Sequence, residues 1–375
     1  MASKFNDFGQ FFAAALVIYV LAFSALKSTA SEAVSHPQSS HDTLSGHDEK
    51  EEFKAGEMIM NHIKDAHDWH ILDIGDHPVS IPLPVIIYSP QKGLDIFLSS
   101  KFDHGHAAYK GYRLENGKLI LDQETYTEEE RATISFYDFS ITKNVAAMLL
   151  SIAVLCLVFI SVANAYKKRP KNAPKGLQSF VEPLIMFIRD EVAKPSIGEG
   201  YEKFLPFLLT VFFFIFLNNL MGLIPIFPFG ANVTGNIAVT LVLASFTFFI
   251  TLFSANKDYW KHIIATPGVP LWLLPIMIPI EILSVISRPI VLMLRLFANM
   301  TAGHIIILAF FSLIFIFGKI GPGAGYGVSV LSVLFVVFMN FLELLVAFLQ
   351  AYVFTLLSAL YFGMAVYAEP HHTHD

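Results

Sequence analysis

LWLLPIMIPIEILSVISRPIVLMLRLFANMTAGHIIILAFFSLIFIFG, residues 271–318, is a 48-residue apolar run with Glu281, Arg288, Arg295 and His304 set inside it. A helix of that length rises about 70 Å, more than twice the roughly 30 Å of bilayer hydrocarbon. A second run, Tyr326 to Ala368, spans 43 residues and follows the glycine-rich Lys319 to Gly325. Both are too long for one perpendicular crossing, so each is expected to bend, to tilt strongly, or to run obliquely through a membrane.

Upstream, Phe204 to Asn256 holds 53 residues without a charge. It predicts two spans joined at PIFPFGANVTGN, residues 225–236. Val145 to Ala165 adds an uncharged 21-residue run, followed by Lys167, Lys168, Arg169, Lys171 and Lys175. Five membrane helices result, at about 145–165, 204–226, 236–255, 271–318 and 326–368. Gln178 to Lys194, with Phe180, Leu184, Phe187, Ile188 and Val192 between charges, predicts a helix on the membrane surface. The cluster of cations places the end of the first span in the cytoplasm, and the domain before it outside.

That earlier part differs in composition. The whole chain of 375 residues is 54% hydrophobic and 15% charged, which excludes an ordinary soluble enzyme. Residues 31–138 carry 20 acidic and 9 basic groups, a net charge of −11 within a total of −6. Residues 1–30 fit a secretory signal cut after Ala30, the alternative being an uncleaved amphipathic or membrane-anchoring start. Residues 31–56 lack apolar periodicity and predict a disordered acidic, histidine-rich leader. Within residues 57–138, Trp69 to Leu98 alternates apolar and polar residues between prolines, and YRLENGKLIL, residues 112–121, carries the Asn116-Gly117 hairpin signal. A small exported β-rich domain is expected there, the all-α polytopic membrane domain over 139–368, and a cytoplasmic tail over 369–375.

The buried charges carry the functional argument. A charge at a helix centre in a bilayer costs about 2.5–3.5 kcal/mol on insertion scales, so each needs a partner or water. Glu281, Arg288 and Arg295 recur every seven residues, with Ser284 and Asn299 beside them, forming one polar stripe. Asn340, Glu343 and Gln350 form a second on the last helix. Two facing stripes describe a proton or ion path better than a structural core. For Glu281 and Arg288, near the start of their helix, snorkelling or a structural ion pair is an equal alternative. His304 and Glu343 are expected to be a titrating pair.

Other chemistries find no support. Cys156 is a single cysteine, which excludes an internal disulfide framework and a multi-cysteine metal site. The nine histidines of residues 31–138 lack ligand spacing, and His371, His372 and His374 read as a frayed tail rather than a metal site. No cofactor and no nucleic-acid partner is expected, since no basic, aromatic-interleaved patch occurs. No GxxxxGK[ST] phosphate loop occurs either, so nucleotide chemistry belongs to other chains.

LRLFANMTAGH, residues 294–304, preceded by EILSVISRP, residues 281–289, resembles the signature of subunit a of F-type ATP synthases. NNLMGLIP, residues 218–225, and FLELLVAFLQAYVFTLLSALYFGMA, residues 341–365, are similar to that family's other segments, in the same order. The resemblance implies a non-catalytic stator of a bacterial inner membrane, packed against a rotating c-subunit ring and assembled with the b-subunit stalk and the remaining synthase subunits. It implies that Arg295 faces the ring carboxylate, that His304, Glu343, Asn299 and Gln350 line the outer half-channel, and that Glu281 and Ser284 belong to the cytoplasmic one. In several bacterial members the acidic residue takes the place of His304 and the histidine that of Glu343, so this chain carries the pair exchanged. A stand-alone transporter or channel using the same buried charges is the competing expectation.

Overall fold

The computed structural model describes residues 65–74, 77–115, 117–168, 173–224, 229–264 and 269–366, with Gly56 and Ile59 in isolation. The expected signal segment, most of the leader, the turn around residues 225–228 and the histidine-bearing tail lie outside the described residues.

Among the described residues, seven strands make three small antiparallel sheets in the amino-terminal part. β1 (Asp68–Ile74) pairs with β2 (His77–Pro82). β3 (Pro84–Ser89) lies between β4 (Gly93–Leu98) and the short β7 (Tyr137–Asp138). β5 (Tyr112–Glu115) and β6 (Lys118–Leu121) form the expected hairpin, with Gly117 at φ 77° in its turn. Val85, Ile87, Phe102, Tyr112, Leu119 and Leu121 fill the core of this domain. One short helix, α1 (Glu128–Thr133), starts at a capping box in which Thr127 and Glu130 bond each other's backbone N–H.

The domain is seated directly on the first long helix, α2 (Lys143–Lys168). Asp65 accepts from the Thr142 hydroxyl at 2.8 Å and from the Asn144 backbone N–H at 3.1 Å, which caps the helix N-terminus. Lys143 donates its backbone N–H to Ala66 at 2.8 Å, and Trp69 packs into the main helical core.

The helical part contains α3 (Leu177–Phe187), a π-helical turn (Ile188–Ala193), α4 (Lys194–Ile197), α5 (Leu205–Leu223), α6 (Ile237–Ser254), α7 (Lys257–Ile264), α8 (Leu274–Ile320) and α9 (Pro322–Val366). Five of these, α2, α5, α6, α8 and α9, are long and apolar enough to cross a membrane. The expected spans are thus present, with shifted ends. The largest shift is at the glycine-rich link, where α8 runs on to Ile320 and α9 begins at Pro322, leaving Gly321 alone between them.

α8 and α9 pack as an antiparallel hairpin. Its register is marked by Gly318 against Gly325, Phe310 stacked on Phe335 at 5.1 Å, and His304 beside Glu343. α5 packs on α9 through Phe204 against Phe362 at 4.9 Å and Phe212 against Phe348 at 5.9 Å. The segment expected as a surface helix is helical and packs on the bundle through one face. Phe180 is exposed, whereas Val181, Ile188, Val192, Ala193 and Ile197 are buried, because the π-helical turn rotates the downstream face toward α5 and α9.

Candidate functional site

α8 places its polar side chains at three levels. At 1.5 Å per residue Arg288 and His304 are about 24 Å apart along the axis, with Arg295 between them. The first level is a buried junction of α8, α9 and the loop that precedes α6. His304 Nδ1 lies 3.1 Å from the Met300 carbonyl and 4.0 Å from Oε1 of Glu343. Both side chains are mostly enclosed, and Oε1 of Glu343 has no hydrogen-bond partner among the described residues.

Gly303 makes this pairing sterically feasible. A Cβ there would overlap the Glu343 carboxylate oxygen and stand 2.9 Å from Cδ. Gly222 of α5 lies beside the histidine, where a Cβ would be in ordinary contact at 3.7 Å from Cε1 and Nε2 of His304. Next to the pair, Thr234 donates to Oδ1 of Asn219 at 2.6 Å, and Nδ2 of Asn219 donates to the Ala347 carbonyl at 3.3 Å. Ala347 is one helical turn beyond Glu343, so the loop and α5 are fastened to the segment that carries the carboxylate.

The second level surrounds Arg288, whose guanidinium sits over the Tyr361 ring of α9, 5.5 Å from its centroid. A pocket here is lined by Thr247 and Thr251 of α6, Tyr259 of α7, and Arg288 and Tyr361. Burial raises the Tyr259 phenol above its ordinary range, against the pull of the neighbouring Arg288 cation. Thr247 and Ser358 bring their hydroxyls within 3.3 Å of each other across α6 and α9. Nη1 of Arg288 and the Tyr259 hydroxyl have no hydrogen-bond partner among the described residues.

Arg295 occupies the level between, and its side chain is exposed, as is that of Asn299. No carboxylate among the described residues pairs with it. The expected single stripe is therefore divided: Arg288 turns under α6, α7 and α9, while Arg295 stays exposed among the described residues. Glu281 and Ser284 are half-buried near the start of α8, and Gln350 is buried on α9 between the levels of Glu343 and Tyr361. Tyr259, Tyr361, Thr247, Ser358, Asn219, Thr234 and Gly303 are the members that sequence reasoning missed. Asn219 stands within the quoted NNLMGLIP segment, and Gly303 within LRLFANMTAGH. Ser358 and Tyr361 stand within the quoted segment 341–365 and Thr234 within the quoted turn 225–236, while Tyr259 and Thr247 had no local signal.

A membrane-embedded helical protein whose longest hairpin carries two enclosed polar clusters, with an unpaired arginine between them, belongs to the class of ion-conducting subunits. The family model described as "ATP synthase A chain" matches residues 145–363, and a "Domain of unknown function (DUF8433)" matches residues 58–139. The chain is similar to "ATP synthase subunit a" of Chloroherpeton thalassium, 47% identical over 63% of this chain and 69% of the relative. It is 48% identical to "ATP synthase subunit a 2" of Chlorobaculum tepidum over 68% of this chain and 74% of that one. A protein of Myxococcus xanthus with the first of those names is 43% identical over 63% of this chain and 76% of its own length. The chain belongs to the ATP synthase A chain family, as a bacterial, non-catalytic subunit of the membrane sector.

Proposed function

We propose that this chain is the stator of proton translocation, forming two offset half-channels against a ring of c subunits and coupling proton flow to ATP synthesis. The observation that carries the reading is the exposed, unpaired Arg295, set about 10 Å along α8 from Arg288 and about 14 Å from His304. An arginine left facing hydrocarbon is costly, so a partner outside the chain must meet it. A ring carboxylate supplies that partner. The fixed cation favours the ionised carboxylate as it passes, and unlike lysine it does not give up its own proton.

In this reading His304, Glu343, Asn299 and Gln350 serve the outer half-channel. Glu281, Ser284 and Arg288 serve the cytoplasmic one, and the pocket of Tyr259, Tyr361, Thr247 and Thr251 extends it. The acidic amino-terminal domain lies outside, the end of α2 at Lys167 and Lys168 and the end of α9 lie inside, and the signal segment is removed after Ala30. The long hairpin, about 70 Å per helix, crosses at a strong tilt. The b-subunit stalk and the remaining synthase subunits complete the assembly, and no nucleic acid is engaged.

The experiment is ATP-driven proton pumping by membrane vesicles that carry the assembled Arg295→Ala complex. Loss of pumping with ATPase subunits still bound is expected, and coupled pumping at the unaltered rate would falsify the assignment.

A further inference from the structure

The sheet β4-β3-β7 has two unlike faces. Val85 and Ile87 point into the domain core and are fully buried. The opposite face is a three-by-three apolar grid. Across the strands, Tyr137 aligns with Tyr88 and Leu94, Phe139 with Ile86 and Ile96, and Ile141 with Pro84 and Leu98. The last two rows hold beyond β7 because Phe139 and Ile141 donate their backbone N–H groups to the Ile86 and Pro84 carbonyls at 2.8 and 3.0 Å. Leu94, Ile96 and Leu98 are 60%, 61% and 48% exposed, and Tyr88, Tyr137 and Phe139 more than 40%. No charge falls within the grid. A contiguous apolar face of this size on a domain outside the spans marks a contact with something else.

The domain's seat on α2 limits what that is. The strand that carries Tyr137, Phe139 and Ile141 enters α2 at Lys143 with no linker, and the Asp65 and Ala66 bonds hold the base of the domain against the helix start. At about 3.4 Å per residue the row of Ile141 stands about 7 Å from Lys143, and that of Tyr137 about 20 Å. Each headgroup layer is about 5–8 Å thick, so a face that begins about 7 Å from the start of a span is within reach of it. α2 itself, two residues beyond Ile141, exposes Leu149, Leu157 and Ile160 along its length. Two of the grid's aromatic members, Tyr88 and Tyr137, are of the type that favours the membrane–water interface.

We propose that this sheet face is a lipid-docking surface, which lays the amino-terminal domain on the leaflet from which α2 enters. Phospholipid headgroups and upper acyl chains are its partners, rather than another subunit. The domain then serves as a brace that fixes the start of α2 at a set depth.

The test uses the full chain in the reconstituted synthase, with the photo-crosslinker p-benzoylphenylalanine incorporated in place of Ile96, Leu98 or, as a control, Glu124, whose side chain is 83% exposed. After irradiation, mass spectrometry separates lipid adducts from protein adducts. Lipid adducts at Ile96 and Leu98 several-fold above those at Glu124 are expected. Lipid yields equal to the control, or adducts predominantly with another subunit, would overturn the proposal. Where one labelled position fails to assemble, Leu94 provides the same comparison.

Discussion

Gly303→Ala is a one-carbon change that tests the His304–Glu343 junction. The added Cβ overlaps the Glu343 carboxylate, and Cδ at 2.9 Å must retreat by about 0.6–1.1 Å to reach ordinary carbon contact distances. A retreat of that size along the line to His304 takes the carboxylate from 4.0 Å to about 5 Å from the imidazole. With an effective dielectric of about 20, the attraction between imidazolium and carboxylate weakens from about 4.2 to about 3.3 kcal/mol. The difference, about 0.8 kcal/mol, is roughly fourfold in the population of the charged pair. Proton pumping by membrane vesicles at limiting ATP, normalised to assembled complex, is the assay, and a several-fold drop is expected. Glu343→Asp withdraws the carboxylate by about one C–C bond, so in Gly303→Ala with Glu343→Asp the second substitution costs less than it does alone. Unaltered pumping in Gly303→Ala, or strictly additive losses in the double variant, would refute the reasoning.

The paired exchange His304→Glu with Glu343→His is expected to recover part of the proton flow that either single change removes, measured in the same vesicles; no recovery would count against a shared role. Thr234→Val removes the bond to Asn219 at 2.6 Å, and hydrogen bonds of this kind in membranes average about 0.6 kcal/mol, so thermal inactivation of the complex should shift by a few degrees or less while assembly persists. In the amino-terminal domain, burial pushes the Asp138 carboxyl up, but His67 at 3.3 Å and the Ser140 bonds outweigh it and hold the pKa below the usual range. A depressed carboxylate stabilises fully above its unfolded value of about 3.9 and loses that contribution as pH falls through the lower folded value. Protease resistance of the domain should therefore decline below about pH 4 in the wild type. In Asp138→Asn it should be weaker already at neutral pH, with that acid step flattened.

The membrane spans were legible because hydropathy and length are local properties. Their ends were not, because packing decides them: the glycines of Lys319 to Gly325 suggest a loop, yet the antiparallel contact of α8 with α9 keeps all but Gly321 helical. The spacing of Glu281, Arg288 and Arg295 was right, but a shared helix face need not have shared surroundings. Arg288 is covered by Tyr361, which lies 73 residues further along the chain, and by Tyr259 from a short helix that the uncharged runs did not reveal. The π-helical turn after Phe187, which buries Ile188, Val192 and Ala193, leaves no mark in the apolar spacing of the surface helix. Alternation along β3 and β4 predicted strands, and what covers their outer face had no sequence signal.

ATP synthesis driven by an imposed pH difference across proteoliposomes containing the complete Arg295→Ala complex tests the central claim most directly. The account predicts no synthesis above background with the full subunit complement in place. Synthesis at the rate of the unaltered complex would show that the cation facing out of α8 does not govern proton transfer to the ring.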